Sequence, residues 1–257
     1  MDTILPIFIF TVGAAIGSFS NVCIYRLPKK LSIISPSSQC PNCGKNISPF
    51  DNIPIISFLI LRGRCRYCQF PISWRYPIVE LITGLIFLSL YLNFRISPQF
   101  FIYALLCTSL IIIAFIDLEH KIIPDAITLP GIIIGLTLSI IMPHITLLNS
   151  VKGLLLGVVL LSTTAILSLA ILRREGMGGG DIKLIAMVGS FLGWEKVLLT
   201  IFLGSLFGSI VGIVLIILKK KNRKDEVPFG PFLSLGAIIS IFFGRELIYL
   251  WLTITFA

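Results

Sequence analysis

The chain alternates long apolar runs with short polar breaks, and these runs set its architecture. Hydrophobic stretches cover residues 4–25, 76–94, 99–116, 126–143, 152–172, 196–218 and 232–254, each near the ~20 residues a helix needs to cross a bilayer. An eighth run, 182–194, has 13 residues and crosses only where the membrane thins or protein covers its backbone. The pattern predicts an all-α polytopic membrane protein of about eight transmembrane helices with one small loop domain. We expect a first transmembrane helix in 1–25, a polar loop in 26–75 and a transmembrane bundle in 76–257. On the first run, Gly13, Gly17 and Ser18 form a small-residue face suited to close helix packing.

Composition agrees with this reading. Of 257 residues, 56% are hydrophobic and 13% charged, with mean hydropathy +1.00, which excludes an ordinary water-soluble domain. The first run follows Asp2 with no basic segment before it and is too long for a cleaved signal peptide, so a retained helix is expected. A net charge of +9 invites a nucleic-acid reading, but the basic residues cluster in a few loops. With the N-terminus outside and all eight segments crossing, loops 26–75, 117–125, 173–183 and 219–231 lie inside and carry 17 of the 21 Lys and Arg residues. That bias places those loops in the cytoplasm, requires 182–194 to cross, and argues for anionic lipid rather than nucleic acid as the partner of the charge. The run Lys219-Lys220-Lys221-Asn222-Arg223-Lys224 reads as a stop-transfer and lipid-contact segment. No internal repeat is evident.

Within the polar loop stand Cys40-Pro41-Asn42-Cys43 and, after 21 intervening residues, Cys65-Arg66-Tyr67-Cys68. Two Cys-x-x-Cys knuckles can close a tetrahedral zinc site on Cys40, Cys43, Cys65 and Cys68, at a spacing just beyond the usual range. A loop this small buries little core, so metal would supply the folding energy. A cytoplasmic position argues against disulfides, and four thiolates leave no open coordination position, so the expected zinc is structural. Cys23 and Cys107 lie in apolar runs and read as core residues.

Acidic residues number twelve, and a carboxylate at membrane depth is a functional candidate by default. Asp117 ends the third run, while Asp181 follows Gly178-Gly179-Gly180 and opens the short run; the topology puts both at one cytoplasmic edge. Two neighbouring carboxylates share one proton, so one can activate water while the other protonates a scissile carbonyl. Read singly, Asp117 would be a boundary carboxylate and Asp181 a helix N-cap. Asp125, after Pro124, reads as an N-cap. Glu80, near the inner interface, either faces water or serves a cofactor.

The ordered set resembles one family, the bacterial prepilin peptidases or type IV leader peptidases, of the Gly-x-Gly-Asp group of intramembrane aspartyl proteases. The resemblance runs through Gly17-Ser18-Phe19-Ser20-Asn21-Val22, Tyr25-Arg26-Leu27-Pro28, both cysteine knuckles, Asn52-Ile53-Pro54 and Arg62-Gly63-Arg64-Cys65. It continues with Arg75-Tyr76-Pro77 to Glu80, Asp117 with Ile123-Pro124-Asp125, and Gly176-Met177-Gly178-Gly179-Gly180-Asp181-Ile182-Lys183. It implies that Asp117 and Asp181 are the catalytic pair of a peptidase of the inner membrane. Such an enzyme cuts the basic leader of prepilins and pseudopilins after glycine. It also implies S-adenosylmethionine-dependent N-methylation of the new terminus, which the family associates with the cysteine loop. Glu119 stands where the family commonly has Asp. The residues themselves contain no Rossmann fingerprint, so methylation rests on the resemblance alone. A peptidase without methyltransferase activity, an ion transporter and a non-catalytic assembly scaffold are the competing readings.

Overall fold

The structure, a computed structural model, describes residues 4–141, 146–172, 177–218 and 227–256. Gly176, Arg173, Arg174 and the Lys219–Lys224 run lie outside them, as does the end of the expected 126–143 span. The described residues form helices α1 Ile4–Arg26, α2 Ile56–Ile60, α3 Arg75–Phe94, α4 Pro98–His120, α5 Asp125–Leu138, α6 Leu147–Leu172, α7 Gly179–Ile217 and α8 Gly230–Phe256. Strand-like pairing among them is limited to two isolated bridges, Gln39 with Asn46 and Arg64 with Pro71. Among the described residues, six helices are long and apolar enough to cross a membrane, and α5 is a shorter apolar helix. The chain divides into two compact units, 1–112 and 113–257, the division falling inside α4.

In the first unit α1 lies along α3, and the small residues of α1 make the contact. A Cβ on Gly17 would come within 2.7 Å of the Glu80 Cα, and one on Gly13 within 2.6 Å of the Phe87 Cβ. The two backbones therefore approach more closely than any larger residue allows. The polar segment between these helices contains a 3-10 turn at Pro49–Asn52 and the five-residue α2. Cys23 and Cys107 are buried, as core residues should be.

In the second unit the 182–194 and 196–218 runs join as α7, which breaks at Gly193. Its φ of 78° and ψ of 177° fall in a region that essentially only glycine enters. The break is a reversal. A Cβ on Gly157 of α6 would lie 3.3 Å from both Ile185 and Val197, and one on Gly153 within 2.9 Å of Gly189 and Gly193. Residues on either side of Gly193 thus lie level with one another against α6, and the two arms run back antiparallel. A short first arm is tolerated because α5 and α6 cover it: Gly131 meets Met187 and Gly135 meets Ser190. The second arm packs against α8, where Thr200 Oγ1 donates to Ser240 Oγ at 3.3 Å. Outward-facing Ile166, Ile171, Ile213 and Ile217 are all more than half exposed, as lipid contact requires.

A hairpin returns both ends of α7 to one side, whereas a single straight span would separate them. Topology reporters fused after Met177 and after Val227 should therefore report the same side of the membrane. Opposite sides would rule out the hairpin.

Candidate active site and metal centre

Four helix ends meet at one end of the second unit. The C-terminus of α4 brings Asp117. Its chain then turns at Lys121, in the left-handed region at φ 54°, with the Lys121 N–H donating to the Asp117 carbonyl at 2.9 Å in the manner of a helix C-cap. The turn sends Ile123 back into the site and Pro124 into the N-cap of α5. Ile123 fits beside two glycines: a Cβ on Gly180 would meet its Cβ at 2.9 Å, and one on Gly230 would meet its Cδ1 at 3.3 Å.

Each aspartate is held by a glycine N–H. Gly230, opening α8, donates to Asp117 Oδ2 at 2.9 Å. Gly178, the N-cap of α7, donates to Asp181 Oδ2 at 3.2 Å, while the Asp181 N–H donates to the Gly178 carbonyl at 3.1 Å. Both carboxylates are buried, at 6% and 8% exposure, and the charge of Asp117 acts on Asp181. Asp181 Oδ1 is buried with no hydrogen-bond partner, an arrangement that natural interiors avoid outside functional or hydrated positions. The α7 N-terminus offers partial positive charge to the Asp181 carboxylate.

Two readings of acidic residues change. Asp125 is not an N-cap: it is the first residue of α5 and makes no capping bond. Its carboxylate instead receives Lys183 Nζ at 2.7 and 2.9 Å, tying the start of α5 to the start of α7. Glu80 does not face water. It is 7% exposed, its Oε2 accepts the Ile55 N–H at 2.7 Å, and Ser18 hydrogen-bonds its carboxylate. Because α3 packs closely on α1, it carries Glu80 underneath the polar loop.

In that loop the sulfur atoms of Cys40, Cys43, Cys65 and Cys68 all lie within 4.8 Å of one another. The Cys40 and Cys68 sulfurs are 3.7 Å apart; the edge of a thiolate tetrahedron around zinc, with Zn–S about 2.3 Å, is about 3.8 Å. The donor set therefore fits a four-coordinate metal. The two knuckles repeat one fold at an offset of 25 positions. Cys40 N–H donates to Lys45 O and Gly44 N–H to Cys40 O, just as Cys65 N–H donates to Phe70 O and Gln69 N–H to Cys65 O, all at 2.9–3.0 Å. Gly44 and Gln69 both have positive φ. A repeat is thus present where none was expected, and its sequence trace is Cys-x-x-Cys-x-x-x-Ile-Ser, at Cys40 to Ser48 and again at Cys65 to Ser73. The Phe70 N–H, helped by the Asn42 amide, pulls Cys68 down to about 6. Against the pull of the Lys45 N–H, desolvation and the neighbouring thiols push Cys43 up to about 11. Arg66 donates from Nε to Asp51 at 2.8 Å and holds that carboxyl below its usual range, pinning the second knuckle to the 3-10 turn.

Sequence reasoning missed Gly230. Its signal was available in Pro228-Phe229-Gly230-Pro231, a glycine between prolines at the mouth of the last apolar run, on the side to which the charge pattern assigns Asp117.

Fold and site together define a helical membrane protein with a pair of buried carboxylates at one end of a bundle and a four-thiol cluster in a polar loop. Residues 11–94 match the bacterial peptidase A24 N-terminal domain and residues 104–213 the type IV leader peptidase family. The chain belongs to the type IV leader peptidase family, and with its apolar helices it is a multi-pass inner-membrane protein. It is 35% identical to a prepilin leader peptidase/N-methyltransferase of Aeromonas hydrophila, over 95% of this chain and 93% of that protein. Proteins of the same name from Pseudomonas aeruginosa and Pseudomonas putida are 34% and 33% identical, each over 92% of this chain and 89% and 90% of their own length. No solved structure matches the chain.

The Gly230 contact gives a direct test. A Cβ there would stand 2.7 Å from Asp117 Oδ2, so Gly230→Ala should displace the carboxylate; with Asp117 in its candidate catalytic role, leader cleavage should fall about 100-fold, the scale of loss for a misplaced reacting group. Cleavage assayed at equal amounts of membrane-inserted protein checks this, and undiminished activity would remove Gly230 from the site.

Proposed function

We propose that the protein removes the short basic leader of prepilins and pseudopilins after glycine and then N-methylates the new N-terminal residue. The observation that carries the peptidase half is the buried pair Asp117 and Asp181, each held through one oxygen by a glycine N–H. In this reading Asp181 Oδ1, buried and unpartnered, holds the lytic water. One aspartate takes a proton as the water oxygen bonds to the glycine carbonyl carbon, and the other delivers a proton to the carbonyl oxygen. Collapse of that adduct breaks the C–N bond, and the amine leaves with a proton.

Family membership and the names of the relatives support methylation, and the intact four-cysteine cluster favours it over a peptidase working alone. The transporter and scaffold readings have no comparable support. We assign structural zinc to Cys40, Cys43, Cys65 and Cys68, and S-adenosylmethionine as the methyl donor, which supplies an electrophilic methyl carbon. The loop 26–75 is assigned to methylation, with Glu80 serving its cofactor. The bundle of 76–257 is assigned to peptide cleavage. The bias of basic residues, 17 of 21 in four loops, orients the aspartates and the cysteine loop to the cytoplasm. Substrates built into type IV pili or a type II secretion pseudopilus would meet the site there.

Two predictions follow from the division of labour. Asp117→Asn and Asp181→Asn should each abolish leader removal without preventing insertion, and the double variant should be no worse, because a dyad acts as a unit. A single variant that cleaves a co-expressed prepilin normally would exclude that residue. Replacing Cys40 and Cys43 by serine should remove zinc and order from the loop. Mass spectra of the substrate should then show methylation falling at least about tenfold, with cleavage falling less. Full methylation without zinc would refute the role of the cluster, and equal loss of both activities would make the loop a general folding element.

A further inference from the structure

The first unit contains an open cavity of about 490 Å³, a groove between α1 and the chain that follows it, with Phe19 and Ile34 on its rim more than half exposed; its volume is inside the ~300–1,000 Å³ range of small-molecule sites. All of its lining residues lie between Ala15 and Pro54, with Ser18 and Val22 on the helix side and Ser37, Ser38 and Asn52 opposite. Two devices hold its walls. The Arg26 guanidinium donates to the carbonyls of Ser32 at 2.9 Å and Pro36 at 2.8 Å, and to that of Ser37 at 3.4 Å, fixing the roof over the helix. Glu80, buried beneath, fixes the other end by accepting from Ile55, next to Pro54, while also holding Ser18. Ile55 has φ 63° and ψ −52°, a region that β-branched residues avoid. Its N–H is held there by the Glu80 carboxylate.

We propose that this cavity binds the methyl donor, an adenosyl sulfonium compound of the S-adenosylmethionine type, with Glu80 as a positioning residue that shapes it. The inference rests on the methyltransferase reading above and deepens it. The lining combines apolar Phe19, Val22 and Ile34 with three serine hydroxyls, an amide and the Arg26 cation. An aromatic base, a hydroxylated sugar and a carboxylate together satisfy both kinds of group. The cut prepilin terminus offers an apolar side chain and a cationic amine, and it brings no carboxylate to the Arg26 cation and no set of hydroxyls to the serines. The donor would then be held entirely by the first unit, the unit that contains the thiol cluster.

The test is equilibrium binding of S-adenosylhomocysteine to purified full-length protein in nanodiscs, with zinc content and thermal midpoint as fold controls. Val22→Phe, which fills the cavity from α1, and Asn52→Ala should each weaken binding about tenfold or more, with zinc retained. Glu80→Ala should weaken it as well, while Glu80→Gln, which keeps an acceptor for the Ile55 N–H, should restore most of it. A wild-type protein that binds S-adenosylhomocysteine, with Val22→Phe and Asn52→Ala binding as tightly at full zinc content, would overturn the cavity assignment alone. A zinc-loaded wild-type protein that neither binds the donor nor methylates a cleaved prepilin would overturn the methyltransferase reading and this inference with it. If Val22→Phe blocks photo-crosslinking of a processed prepilin peptide but leaves donor binding intact, the cavity belongs to the substrate terminus and the proposal is wrong.

Discussion

In hydrocarbon no water satisfies a free N–H or C=O, so the backbone may leave the helix only where other protein covers it. This constraint locates the two buried aspartates of the second unit. The chain is not helical at Lys121, at the Gly178 cap of α7, at Gly193 and at Phe229 before Gly230. Two of the N–H groups at these departures, on Gly178 and Gly230, are satisfied by the two aspartates. A helix end needs acceptors for its first N–H groups, and a carboxylate at membrane depth needs donors. Here each requirement meets the other, and the result is a pair of buried acids, each held through one oxygen, with Asp181 Oδ1 to spare.

Glycine serves this arrangement in two different ways. At Gly193 it supplies a backbone conformation, and the reversal it permits turns a 39-residue apolar helix into two arms that start and finish at the same end of α6. At Gly180 and Gly230 it supplies space, because Ile123 and the Asp117 carboxylate occupy the positions that a Cβ would need. The first kind of glycine shapes the bundle, and the second lets Ile123 and the Asp117 carboxylate pack against the helix starts.

The polar loop solves a different problem. It lies between two helices but is too small to bury a core of its own, and Phe58 and Cys40 are its buried apolar side chains. Order there comes from repeated knuckle turns around the thiols and from the Arg66 and Asp51 pair. Glu80 adds a hydrogen bond from the helix below. The Arg66 end of the ion pair is more than half exposed and screened by solvent, whereas structural zinc contributes on the order of 10 kcal/mol or more in small domains. A metal ion held by the four thiols would therefore outweigh the other contributions in keeping the loop folded.

Much of this was legible in the sequence because it depends on local pattern. Apolar runs of bilayer length and basic loops identify a helical membrane protein. The Cys-x-x-Cys spacing identifies the thiol cluster, and two scarce acids at one edge identify the candidate pair. The sequence did not show what depends on residues far apart in the chain. Gly230 meets Asp117 across 113 positions, Lys183 occupies Asp125, and Glu80 turns from the solvent to hold Ile55. Each of these contacts follows from which helices pack together and how closely. Periodicity specifies a helix and its apolar faces, but in a bilayer nearly every face is apolar, so the choice of neighbours falls to small-residue contacts that only the folded chain reveals.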